Sequence, residues 1–159
     1  MIRTAALCAL LSACALAGAD TGVGKDDGGG GNGGKVPGDG IAQQTCSPFS
    51  TPAFQFLIGL DSDTCDASPT DTMLRISLWT DDLPPRAGET YAFSVAEGVG
   101  EAVLIGAENP EGESAAEVEL TLTEHANEEW KGSYRLEFAD GDTLEGSFSV
   151  VDCPSDIEC

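Results

Sequence analysis

GSYRLEFADGDTLEGSFSV, residues 132–150, decides the fold. In its first half Tyr134, Leu136 and Phe138 alternate with Arg135 and Glu137. In its second half Leu144, Phe148 and Val150 alternate with Glu145, Ser147 and Ser149. A period of two puts all the apolar side chains on one face of an extended strand and all the polar ones on the other. Asp140-Gly141 separates the halves, and this dipeptide between alternating runs marks a tight hairpin. The segment therefore reads as two antiparallel strands with one dry and one wet face.

The same period continues upstream. Phe54, Phe56, Ile58 and Leu60 form one run, and Leu74, Ile76 and Leu78 a second. Tyr91, Phe93 and Val95 form a third, and Val118, Leu120 and Leu122 a fourth. Ala102 to Ile105 adds a more continuously apolar segment. The punctuation agrees: Asn109-Pro110-Glu111-Gly112 has the composition of a β-turn, and Glu97-Gly98-Val99-Gly100 that of a tight reversal. Leu83-Pro84-Pro85 enforces an extended loop before Tyr91. A single helical turn is placed near Glu124 to Glu129. Seven short strands with turn signals between them predict an all-β domain, an antiparallel sandwich with a small barrel as the alternative.

The domain is expected to span residues 45–159, a size that suits one core. Ahead of it, 14–44 reads as a linker. Gly18 to Gln44 holds 11 glycines and almost no apolar residues, so burial cannot offset its chain entropy. A Gly-rich coil of that length spans about 30 Å. Residues 1–13 read as an export signal: Arg3, then the apolar Thr4 to Leu11, too short to serve as a transmembrane helix.

Leu11-Ser12-Ala13-Cys14, following that apolar run, resembles the lipobox of bacterial lipoproteins. The resemblance implies that Cys14 is diacylated and becomes the mature N-terminus. Several acyl chains make a stable anchor. Ala15 stands where that family places an aspartate for inner-membrane retention, which implies delivery to the outer membrane or cell surface. The competing reading is a soluble secreted protein, cleaved after Ala17 or Ala19 by the small-residue rule. The 132–148 run is also similar in composition to closing hairpins of small β-domains in exported lipoproteins.

Charge narrows the partners. The chain carries 28 acidic and 7 basic residues, a formal charge of −21. From residue 45 on there are 24 acids against Arg75, Arg86, Lys131 and Arg135. This surface repels phosphate backbones and anionic headgroups, excludes nucleic acid as a partner and favours a monomer. Membrane contact is left to the lipid, and the remaining partner classes are an envelope protein or a glycan. Cys46, Cys65, Cys153 and Cys159 form no C-x-x-C pair, so they read as two disulfides rather than a zinc site. If the Phe54 strand pairs antiparallel with the last strand, Cys46 approaches Cys153 or Cys159. If the two run parallel, Cys65 does.

Candidate chemistry is sparse. His125, the one histidine, has no His or Cys partners and reads as a surface-loop residue. No G-x-S-x-G elbow is present, so no catalytic residue is assigned and the chain is read as non-enzymatic. Asp61, Asp63 and Asp66 form an acidic loop with the oxygen-rich, D-x-D character of a calcium site, though without an EF-hand's glycine and final glutamate. Calcium is thus the one cofactor to test. Trp79 and Trp130 are candidate contacts for a glycan or protein. The resulting expectation is a tethered binding or structural module of the cell envelope. The alternatives are a calcium- or carbohydrate-binding accessory domain, or a soluble inhibitor or accessory of an envelope enzyme.

Overall fold

The computed structural model describes residues 36–80, 82–155 and 159. The expected signal, Cys14 and the linker as far as residue 35 lie outside the described residues. Among the described residues eight strands form: β1 (Asp39–Cys46), β2 (Pro52–Leu60), β3 (Pro69–Leu78), β4 (Thr90–Ser94), β5 (Gly100–Gly106), β6 (Asn109–Ala126), β7 (Glu129–Phe138) and β8 (Thr143–Cys153). All seven expected strands are present as β2 to β8. The eighth, β1, lies in residues assigned to the linker, so the folded domain begins well before residue 45.

The sheet closes on itself rather than splitting into two layers. Its hydrogen-bonded order is β4-β6-β5-β3-β2-β1-β8-β7, with β6 pairing β7 as well. Seven strands thus make a closed mixed barrel, and β4 is an extra strand. Closure rests on the length of β6, 18 residues. One edge of it pairs with β5 from Asn109 to Ser114 and then with β4 from Glu117 to Thr121. Its other edge pairs with β7 from Ala115 to Ala126. A barrel leaves few open edges, which a sandwich of short strands cannot achieve. The sandwich expectation is therefore replaced by the barrel.

Every pairing is antiparallel except β1 with β8, which is parallel, with Gly40 opposite Val150 and Gln43 opposite Cys153. β1 stands between β2 and β8, so neither anticipated pairing of those two forms. Gly40 belongs in β1 because a Cβ there would lie 1.9 Å from the Leu57 carbonyl oxygen.

The barrel interior is filled. Phe54, Phe56, Leu74, Ile76, Leu120, Leu136, Phe148 and Val150 are buried inward in one cluster around Trp130, itself 1 % exposed. The ring centroids of Phe54 and Phe56 lie 5.8 and 6.2 Å from that of Trp130, both edge-on, the geometry aromatic pairs favour. Leu60, read from the sequence as part of this set, points outward instead. Gly59, at φ 95°, forms a bulge between Ile58 and Leu60, and one extra residue flips strand parity. Leu60 joins a smaller outer cluster with Ile41 and Cys153, flanked by Leu57, Ala67, Met73 and Val151.

Asp140-Gly141 closes β7–β8 as expected, with Gly141 N–H donating to Phe138 O at 3.0 Å. The β5–β6 turn lies at Ala107-Glu108 rather than 109–112. Pro110 sits near the start of β6, and Gly112, at φ 83°, sits against Val103 and Ile105. No helical turn forms at Glu124–Glu129. Asn127 and Glu128, at φ 54° and 61°, make a two-residue hairpin of the kind that matches strand twist.

Candidate functional site

The acidic loop that follows β2 is organised as a turn. Asp61 N–H donates to Ser68 O at 3.0 Å, and Asp61 Oδ1 accepts the Ser68 N–H at 2.9 Å. That carboxylate closes its own loop. Asp63 and Asp66 point to solvent. Among the described residues, no three His, Cys, Asp or Glu side chains stand close enough together to hold a metal ion. The residues expected to bind calcium are therefore not brought together. The loop instead lays Ala67 against the outer apolar cluster, and Cys65 bonds to Cys153, 88 residues away. Cys46 bonds to Cys159, 113 residues away. The C-terminal segment also returns to β1 through the Ser155 hydroxyl, which donates to Gln44 O at 2.6 Å.

His125 is not in a loop but on β6, opposite Trp130 of β7. The imidazole lies flat on the indole, with centroids 3.8 Å apart and planes 5° from parallel. Its Nε2 is 3.2 Å from Asp152 Oδ2. The Asp152 N–H donates to Glu128 O at 2.7 Å. The ring thus covers one end of the core and ties the β6–β7 hairpin to β8. Trp130, a candidate ligand contact by sequence, is a core residue. Its Nε1 has no acceptor among the described residues, so packing alone fixes the indole.

One apolar surface feature among the described residues is at the β1–β2 tip. Phe49 is 70 % exposed and Val99 45 %, and these are the exposed large hydrophobics among the described residues. Both adjoin Trp79. Phe49 meets the indole at 5.8 Å and 85°, and the Trp79 N–H donates to Val99 O at 2.8 Å. Scattered exposed apolar residues need no explanation; here Phe49 packs edge-on against Trp79, and Val99 is tied to Trp79 through the main chain.

Hydrogen bonds brace the turn that carries Phe49. Buried Ser47 donates its N–H to Thr51 O at 2.8 Å, and its hydroxyl lies 2.6 Å from Thr51 Oγ1. The same hydroxyl accepts the Phe49 N–H at 3.2 Å. Sequence reasoning singled out Trp79 but missed Phe49. The available signal was a lone aromatic within Ser47-Pro48-Phe49-Ser50-Thr51, a segment too short and too polar to be a strand. Comparison of the chain with protein-family models, with curated proteins and with solved structures finds no match.

Proposed function

We propose that this chain is a lipid-anchored, non-enzymatic binding module of the bacterial cell envelope, held at the outer membrane or cell surface through Cys14. The observation that carries the reading is the division of the cysteines. Cys46, Cys65, Cys153 and Cys159 are consumed in two long-range bridges, which suits an oxidising compartment. Cys14 stands apart from them, at the end of an apolar run in Leu11-Ser12-Ala13-Cys14. The filled interior supports a role played on the outer surface, because no lumen of the lipocalin kind runs between Phe54, Trp130 and Phe148.

Substitution tests the anchor. Cys14→Ser is expected to move the chain from the membrane fraction to the soluble exported fraction while both disulfides still form. Retention of Cys14→Ser in the membrane fraction, at the wild-type level, refutes lipid anchoring.

A further inference from the structure

We infer that the open edge of β4 takes up an extended, lysine- or arginine-bearing segment of a partner protein as an added strand. This rests on the binding-module reading above and not on the anchor at Cys14. Its support is the hydrogen-bond phase of β4 and the charge beside it.

The main chain comes first. Among the described residues β4 has one ladder partner, β6. Leu122 donates its N–H to Glu89 O at 2.9 Å, and its O accepts the Gly88 N–H at 2.7 Å. Bonded pairs alternate along an antiparallel ladder. Tyr91 and Phe93 therefore turn their main-chain groups to Leu120 and Val118, opposite them in register. The N–H and C=O groups of Thr90 and Ala92 point to the other edge, and both residues are exposed. Ser94 agrees with this phase. Its N–H faces the same edge, where Glu97 Oε2 accepts it at 3.0 Å. Two donors and two acceptors at strand spacing are matched by an extended polypeptide, which offers the same groups in return. Thr90-Tyr91-Ala92-Phe93-Ser94 also lacks the charges and prolines that commonly blunt a free edge.

Charge then selects the segment. A concavity of about 370 Å³ lies along β4, lined by Ala92 and by Glu97, Glu117, Glu119 and Glu137. Among the described residues these four carboxylates take part in no ion pair. Arg135 lines the concavity too, but its Nε is held by Glu145 at 2.8 Å. Glu117 and Glu137 stand directly opposite each other on β6 and β7, a like-charge pair that costs stability until a cation offsets it. A strand added to β4 lies roughly 10 Å from β6, two strand spacings. A lysine or arginine on its outer face spans that gap over Ala92, whose methyl group is too short to block it. A second copy of this chain supplies no such cation. Its own β4 is uncharged, and two surfaces of net −21 repel each other.

The test uses the full chain, labelled with nitrogen-15, and three soluble eight-residue peptides. The first alternates Lys or Arg with Thr and Val. The second is the same peptide with every main-chain N–H methylated, which keeps the charge and removes the donors. The third carries Glu in place of Lys and Arg. The first peptide alone is expected to bind, and to slow amide hydrogen exchange at Thr90 and Ala92 at least tenfold. The double variant Glu117→Gln/Glu137→Gln should weaken that binding about tenfold at unchanged far-ultraviolet dichroism, and added salt should weaken it in the wild type. Ala92→Pro removes one outward donor at an edge position that accepts proline and should abolish binding. Unfolding of Ala92→Pro leaves the glutamine variant and the exchange pattern to decide. Equal binding of the methylated peptide would show undirected charge attraction and overturn the inference. Binding of the first peptide without protection at Thr90 and Ala92, or no binding at all, would also overturn it. So would protection of these two amides that grows with the concentration of the chain alone, which assigns the edge to a second copy. A chain that ignores all three peptides yet leaves the membrane with Cys14→Ser refutes the added strand and leaves the anchor standing.

Discussion

Removing the two disulfides in turn should expose how much of this barrel depends on them. In the chain-entropy view a bridge stabilises by restricting the unfolded chain, and its effect grows with the logarithm of the loop it closes. Cys65–Cys153 spans 88 residues and encloses nothing but chain. Alone, that loop corresponds to about 4.6 kcal/mol. Cys46–Cys159 spans 113 residues, but while the inner bridge holds, its removal frees a much shorter circuit. That circuit runs from Cys46 to Cys65 and from Cys153 to Cys159, about 25 residues, and corresponds to about 3.5 kcal/mol.

The double variant Cys46→Ala/Cys159→Ala is therefore expected to lose about 3.5 kcal/mol. Loss of all four cysteines should cost roughly 8 kcal/mol. A domain of this size holds on the order of 5–15 kcal/mol in total. The four-alanine variant should thus be marginal or unfolded at 37 °C. Urea titration followed by tryptophan fluorescence reads the difference, with m-values showing whether the denatured chain expands as the constraint is lifted. A loss under 1 kcal/mol for the first variant, at unchanged m, would refute the claim that these bridges act through the unfolded chain.

Three further outcomes follow from local geometry. Glu128→Gly should stabilise the domain by about 0.5–1 kcal/mol, because glycine relieves the left-handed backbone at φ 61° in the β6–β7 turn; a thermal melt checks it. Gly59→Ala should cost about 3 kcal/mol, since its Cβ would lie 2.5 Å from the Thr72 carbonyl oxygen at a φ of 95° that alanine resists; urea midpoints measure the loss. The Glu129 carboxyl is held below the usual carboxylate range, first by the hydrogen bond from the Ser149 hydroxyl and then by Lys131. A depressed folded value means its stabilisation is complete above the ordinary carboxylate range and is lost as pH falls through the folded value. Ser149→Ala should raise the Glu129 titration midpoint in a carboxyl-resolved NMR titration, and an unmoved midpoint would remove the hydroxyl as the cause.

Much of the wall of the barrel was legible because alternation is a strong signal wherever side chains of ordinary size face inward. β1 was not, for a physical reason. Its inner face is made of Gly40 and Ala42, and a larger residue at Gly40 would strike the Leu57 carbonyl. Tight strand packing thus looked like linker composition. Barrel closure was hidden for the same cause, since it needs β1 between β2 and β8 and an uninterrupted β6. The first third of β6, Asn109 to Ser114, reads as turn chemistry because of Pro110 and Gly112. Leu60 was assigned to the wrong face because a bulge at Gly59 leaves no mark on hydropathy. Of the candidate sites, Trp79 could be named from sequence but not its partner. Phe49 and Trp79 are 30 positions apart in the chain, and their contact exists only once the β1–β2 turn reaches the end of β3. The acidic loop shows the converse ambiguity, because aspartates that organise a turn have the same local spacing as aspartates that bind calcium.

The anchor is tested most directly by the intact mass of the chain recovered from the membrane fraction without reductant. The account predicts a species beginning at Cys14, heavier by a multi-acyl lipid group and lighter by the four hydrogens lost in forming two disulfides. A species beginning at Gly18 or Asp20 without added lipid, or one whose four downstream cysteines are all reduced, would contradict it.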